Sequence, residues 1–230
     1  MNINAIICTR DRNNVSKTTD NLLSFLTRCG IKIYLISGAK SIFAAYKGAF
    51  EKINPADDDA VIFCHDDIEI RENPEAFVNK ITNLLNLPET GFIGPAGTTY
   101  LTNNATWWDM DVWAAGKHRG KVSHINPQGH EYVTFYGNPG NVVVLDGLFL
   151  SAKARTIRQV GLEKPDYFEG EWDFYDIYFT TKAFSMGFTN RIINLEILHN
   201  SRGELVGRES WHKNREAFIK HHEFPIKLED

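Results

Sequence analysis

The run Ala60-Val61-Ile62-Phe63-Cys64 contains no polar side chain and stops abruptly at His65-Asp66-Asp67. A stretch this short with no alternation reads as a strand covered on both faces, the kind found in parallel sheets. Such a strand needs helices on either side, and the flanking sequence supplies them. Ala5-Ile6-Ile7-Cys8 reads as a first strand, followed by a helix over residues 16–28 whose apolar face is Leu22, Leu23, Phe25 and Leu26. Gly30 suits its C-terminal cap. Residues 31–36 form a second apolar strand, and residues 41–53 a second helix. After the buried run, Phe77, Ile81, Leu84 and Leu85 mark a helix over residues 74–87. Strand and helix in alternation imply right-handed βαβ units and a parallel sheet.

The second half is less regular. Residues 91–96 read as a short strand entering a turn. From 97 to 140 the periodicity weakens while aromatic, Asn, Gly and His residues accumulate, which in a compact chain marks a functional stretch. Residues 141–145 restore a strand, and Asp146-Gly147 interrupts before Leu148-Phe149-Leu150. Helices are expected over 151–160 and 174–186, a strand over 192–198 and a basic helix over 210–222. There is no internal repeat, low-complexity tract or linker, so one domain is expected across residues 1–230.

Composition narrows the function. A net charge of −4 offers no basic face for nucleic acid. Three cysteines, an odd number with no CxxC pair, indicate neither a disulfide framework nor a zinc knuckle. Cys8 and Cys64 read as small buried hydrophobes, in keeping with a reducing cytosol. The first residues carry no basic segment ahead of an apolar one, and no run approaches the roughly 20 apolar residues of a membrane span. A cytoplasmic location is expected, with peripheral contact at the inner face of a membrane left open.

His65 and Asp67 lie two apart, so in extended chain they point the same way. In open α/β sheets the carboxyl edge of the strands is where ligands bind. The triplet there suggests a divalent cation, Mn2+ or Mg2+, held over a substrate; the plainer alternative is a polar strand end feeding a turn. A second cluster, Phe168-Glu169-Gly170-Glu171-Trp172-Asp173-Phe174-Tyr175-Asp176-Ile177-Tyr178, sets four carboxylates among five aromatics ahead of a helix. Apolar walls raise a carboxylate's pKa and suit it to general-base work. Acids also favour helix N-termini for capping and dipole reasons. His199 closes the last strand, with a loop at 200–203 after it. Asp146-Gly147 is either a turn or a substrate carboxylate, and Arg10 and Arg12 are able to pair with phosphates. Trp107, Trp108 and Trp113 either line a sugar pocket or pack the loop, with Met110 favouring packing.

Six short segments occur in a suggestive order. They are Ile7-Cys8-Thr9-Arg10-Asp11-Arg12, Ala44-Ala45-Tyr46-Lys47-Gly48, Phe63-Cys64-His65-Asp66-Asp67-Ile68, Val144-Leu145-Asp146-Gly147-Leu148-Phe149, Phe174-Tyr175-Asp176-Ile177-Tyr178 and Ile197-Leu198-His199-Asn200-Ser201. Over most of its length the chain resembles the family 2-like inverting glycosyltransferases of the GT-A fold. It looks closest to a small bacterial branch with His-x-Asp in place of the usual Asp-x-Asp. The resemblance implies a Rossmann-like α/β domain with a mixed, mostly parallel central sheet flanked by helices. Residues 1–95 would be the nucleotide-binding half and 96–230 the acceptor and catalytic half. It further implies a nucleotide-diphosphate sugar donor, a saccharide or lipid-linked glycan acceptor, and Mn2+ or Mg2+.

By position, His65-Asp66-Asp67 matches the motif for metal and nucleotide diphosphate, with Asp67 the metal ligand. His199 matches a late histidine that completes the metal or diphosphate site in related enzymes. Asp176 matches the general base, Thr9, Arg10 and Arg12 flank the nucleotide, and Asp146 falls among donor or acceptor contacts. The chain also departs from the pattern. Ser37-Gly38 ends the second strand where many relatives carry a base-reading aspartate. Tyr175 and Tyr178 replace acids of a Glu-Asp-x-Asp motif, which leaves Glu171 and Asp173 as alternative bases. Two other readings belong beside the transferase: a degenerate domain that binds a nucleotide sugar or glycan without turnover, and a nucleotidyltransferase. The latter normally carries a Gly-rich loop after the first strand, and residues 9–14 contain no glycine. An HD-type phosphohydrolase carries its ligands on helices, whereas His65-Asp66 follows a strand.

Overall fold

A computed structural model describes residues 1–126, 128–201 and 208–229. The first half alternates as expected: β1 (Ile3–Thr9), α1 (Lys17–Arg28), β2 (Lys32–Ser37), α2 (Ile42–Ile53), β3 (Ala60–His65), β4 (Ile68–Ile70) and α3 (Pro74–Leu85). Local chemistry fixes the helix starts. Ser16 accepts a hydrogen bond from the Thr19 amide, Ser41 from Ala44, and Asn73 from Glu75 and Ala76, with Pro74 in the first turn.

The chain continues through β5 (Thr90–Gly94), β6 (Ala96–Thr98), β7 (Tyr100–Leu101), α4 (Met110–Ala114), β8 (His118–Ile125) and β9 (Glu131–Gly137). Next come β10 (Asn141–Val142), β11 (Val144–Leu145), β12 (Phe149–Lys153), α5 (Ala154–Val160) and α6 (Tyr175–Ser185). β13 (Thr189–Ile192), β14 (Ile197–His199), α7 (Glu209–His221) and β15 (Ile226–Lys227) close the order.

The central sheet has seven strands in the order β10-β13-β5-β12-β3-β1-β2. β2, β1 and β3 run parallel, β12 enters antiparallel between β3 and β5, and β13 runs parallel to β5. Five strands therefore share one direction, with β12 and β10 reversed. β3 is buried on both faces, with Ala60 to Cys64 at most 1% exposed. Phe63 packs on Tyr46 of α2, ring centres 4.7 Å apart, while Phe77 of α3 meets Phe25 of α1 at 5.2 Å.

A second sheet, β11-β6-β8-β14-β4 with β9 on β8, leans on the carboxyl edge of the first. Much of it lies in the 97–140 stretch that showed no periodicity. The reason is exposure: on β9, Tyr132, Val133 and Phe135 are more than half exposed although successive residues face opposite ways. Three expected elements are corrected, among them the strand over 141–145, which is β10 and β11 in different sheets. Residues 151–153 are strand, not helix, because Ser151, Ala152 and Lys153 pair with Ile62, Val61 and Ala60. The strand expected over 192–198 is two strands in different sheets, β13 ending at Ile192 and β14 beginning at Ile197.

Candidate functional site

β1 and β3 are parallel, with Cys8 opposite His65, so the loop from Thr9 and the triplet leave the sheet together. β12 runs the other way, which places its entrance, Asp146-Gly147-Leu148, at this same edge. The His65 amide donates to the Leu148 carbonyl at 3.0 Å. From the second sheet, β14 lies between β4 and β8, with His199 opposite both Ile68 and His124. The Asn200 amide donates to the Asp67 carbonyl at 2.8 Å. Four chain segments distant in sequence thus meet.

His65, Asp67 and His199 offer ligand atoms that all lie within 4.8 Å of one another. Asp67 Oδ1 is 3.3 Å from His199 Nε2 and 3.7 Å from His65 Nδ1. Two ligands held about 2.1 Å from one ion stand about 3–4 Å apart, so these spacings fit a shared cation. Asp67 Oδ1 and His199 Nε2 are buried without a hydrogen-bond partner, being close to each other but misaligned. Orphaned buried polar atoms are costly, and a cation between them would satisfy both.

The electrostatics agree. Burial, reinforced by His199, pushes His65 down to about 4, leaving a neutral imidazole. Burial opposes the charge on Asp67, but His199 at 3.3 Å, and then His65, hold its carboxyl below the usual range. Burial likewise works against a charged His199, yet Asp67 and then Asp146 raise it overall.

Beside this trio stand two more carboxylates. Asp176 occupies the first turn of α6 and accepts a hydrogen bond from the Gly147 amide at 3.0 Å. Burial, then the charge of Asp146, raises Asp176 to about 7. Burial also raises Asp146. The turn into α6 is sharp: Phe174 has φ of 71°, a left-handed conformation that a bulky side chain rarely adopts. Packing holds it there, with Phe174 buried against Phe168, Trp211 and Phe218.

The remaining candidates spread outward. Thr9 is half-buried at the strand end, while Arg10 and Arg12 are exposed and form no ion pair among the described residues. Asp66 is half-buried, and its carbonyl accepts from the Thr19 hydroxyl at 2.9 Å. Glu171 pairs with Lys164, which holds its carboxyl below the usual range. Asp173 is buried against α7, where Ser210 donates to it at 2.6 Å and Arg208 lies 3.6 Å away. Trp107 is core: it packs on Tyr136 and His118, and Trp113 joins the same cluster. Residues 202 and 203 of the loop after His199 lie outside the described residues.

Sequence reasoning did not find His124, whose ring centre is 6.2 Å from that of His199. Nor did it give Tyr175 a partner. The Tyr175 hydroxyl lies 2.8 Å from His65 Nε2 and 2.9 Å from the Gly147 carbonyl. No local pattern signals a bond between residues 110 positions apart.

Residues 5–222 match a glycosyltransferase-like family. Among solved structures, GalNAc-T7 with UDP, GalNAc and Mn2+ is similar at a TM-score of 0.51 and 10% identity, over 91% of this chain and 44% of that one. The chain therefore spans less than half the length of that protein. A197 from STIV gives a TM-score of 0.49 at 14% identity, covering 87% of this chain and 86% of its own. A 2-C-methyl-D-erythritol 4-phosphate cytidylyltransferase from Francisella tularensis gives 0.41 at 10% identity, covering 85% and 91%. No curated protein matches the sequence.

Proposed function

The chain belongs to the glycosyltransferase-like family and has the GT-A fold, and from that premise we propose that it is a metal-dependent, inverting transferase. It would move a sugar from a nucleotide-diphosphate donor to a hydroxyl of a saccharide or lipid-linked glycan. One observation carries the proposal. A three-residue ligand cluster with orphaned buried atoms shares the sheet edge with a carboxylate that holds its proton until about pH 7.

His65, Asp67 and His199 would hold the ion. Bound there, a divalent cation would offset the negative charge that develops on the leaving diphosphate. Two imidazoles and one carboxylate suit Mn2+ better than Mg2+, which prefers oxygen ligands in an octahedron. Asp176 would take the proton of the acceptor hydroxyl as that oxygen bonds to the anomeric carbon. The bond from that carbon to the diphosphate breaks with its electron pair leaving on the diphosphate. Attack and departure on opposite faces invert the centre. The raised pKa of Asp176 places it near the operating pH, where a general base is most effective. Asp146 contributes through charge, making its neighbour more basic. Thr9, Arg10 and Arg12 at the β1 end, and Asp66 within the triplet after β3, border the space where a nucleotide would lie.

Among the described residues no helix is long and apolar enough to cross a membrane. A cytoplasmic setting, with the acceptor presented at a membrane surface where it is lipid-linked, belongs to the same proposal. Thermal-shift screening of nucleoside diphosphates with and without Mn2+, followed by donor hydrolysis and transfer assays, tests it. A nucleotide-induced shift that needs Mn2+ and exceeds the shift from Mn2+ alone, together with donor turnover, is expected. No stabilisation by any nucleotide in either condition would remove the donor assignment. Binding without turnover would favour a sugar-nucleotide binding domain.

A further inference from the structure

We infer that Tyr175 and Gly147 are positioning residues that set His65 of the ligand cluster and the carboxylate of Asp176 with a single hydrogen-bonded bridge. The inference extends the proposed metal site to residues that would touch neither ion nor substrate.

Proton counting gives the direction of each bond. The Gly147 carbonyl can only accept, so the single hydroxyl hydrogen of Tyr175 must point to it across 2.9 Å. Toward His65 the phenolic oxygen is then the acceptor, and His65 Nε2, 2.8 Å away, must be the donor. A neutral imidazole with its proton on Nε2 has a bare Nδ1. That nitrogen is the atom lying 3.7 Å from Asp67 Oδ1. Tyr175 thereby selects the tautomer able to ligate and fixes the ring plane, the service that outer partners of metal-bound histidines provide.

Gly147 makes the bridge two-sided. Its carbonyl takes the Tyr175 proton while its amide donates to Asp176 Oδ2 at 3.0 Å. The approach leaves no room for a side chain. A Cβ at Gly147 would stand 2.5 Å from the Tyr175 hydroxyl, 2.8 Å from Cζ and 2.9 Å from Asp176 Cβ. One residue thus holds the first turn of α6 against the entrance of β12, and through it His65 and Asp176 share a frame.

The bridge also relates two departures from the family pattern. His65 stands where an acid is usual, and so does Tyr175. An ionised glutamate at 175 could accept from His65 but has no proton for the Gly147 carbonyl. A tyrosine hydroxyl does both, so the histidine and the tyrosine make a matched pair.

Two measurements test this. Nitrogen-15 NMR of the metal-free protein, with the His65 signals assigned by comparison with His65→Ala, should show the Nε2–H tautomer. In Tyr175→Phe the two tautomers should mix, whereas Tyr178→Phe, a tyrosine of the same helix outside the bridge, should leave the spectrum unchanged. Mn2+ titration by calorimetry should show at least about tenfold weaker binding in Tyr175→Phe. In a His65→Ala background the same substitution should change affinity less than twofold. An Nδ1–H tautomer in the unmodified protein would overturn the inference, even if Tyr175→Phe fails to fold. So would a Tyr175→Phe loss that persists undiminished without His65. If the protein binds no Mn2+ at all, the metal assignment fails, and the tautomer still decides whether Tyr175 positions His65.

Discussion

At Asp176 a carboxyl group that would ordinarily ionise near pH 4 is held to about 7, first by burial and then by the charge of Asp146. Such a group is a poor surface anion and a good proton acceptor near neutrality. Transfer should therefore rise with pH through an apparent pKa near 7, and Asp146→Asn should move that inflection down by removing the neighbouring charge. Replacing Asp176 by Asn keeps the shape and removes the base. We expect kcat to fall by about 10²–10⁴-fold, with nucleotide affinity, measured by calorimetry, within twofold of the parent. Turnover retained in Asp176→Asn would reassign the base to Glu171 or Asp173. On the metal side, Asp67→Ala removes the ligand common to both histidine contacts and should abolish Mn2+-dependent nucleotide binding. Nucleotide binding unchanged by Mn2+ in the parent protein would refute that assignment directly.

Elements differ in how plainly they were written in the sequence, and exposure explains the difference. β3 was legible because burial on both faces permits only apolar residues from Ala60 to Cys64. β9 was not, because both of its faces meet solvent and no alternation is imposed. Ser151-Ala152-Lys153 has no strong strand preference of its own. Its pairing with β3 decides the outcome, a case of tertiary context overriding local propensity. The site shows the same division. Asp67 and His199 follow apolar strands, and Asp176 lies in an acid-rich segment at a helix start, so all three are conspicuous in the sequence. The Tyr175–His65 bond joins positions with no local relation and could only come from the fold.

A second long-range tie makes an element-scale prediction. Asn214 of α7 is fully buried; its Oδ1 accepts from the Gly170 amide at 2.8 Å, and its Nδ2 donates to the carbonyls of Gly170 and Asp173, each at 3.1 Å. These bonds hold the segment that turns into α6. Asn214→Ala would leave those backbone groups buried and unpaired, costing about 2–4 kcal/mol. Urea denaturation measures it; a loss below about 0.5 kcal/mol would mean that α7 does not brace the site.

For the molecule as a whole, the site is a place where stability is given up. Asp67 Oδ1 and His199 Nε2 lack partners, and Asp176 is kept from ionising. Ligands that satisfy these groups must stabilise the fold. At Mn2+ near 100 times its dissociation constant the gain is about 2.7 kcal/mol, or roughly 5–10 °C in Tm for a chain of this size. Asp67→Ala should lose that shift. The metal-free protein carries the other half of the prediction. The folded pKa of Asp176 lies above its unfolded value, so its contribution to stability is complete below about pH 4. It is lost as pH rises toward the folded value of about 7. Asp176→Asn removes that loss. Melted in EDTA, the variant should match the parent at about pH 4 and below, gain on it steadily from there to about pH 7, and hold a constant lead above. A Tm difference that is flat with pH, or a variant less stable than the parent at pH 8, would show that Asp176 ionises freely in the fold and is not held ready as a base.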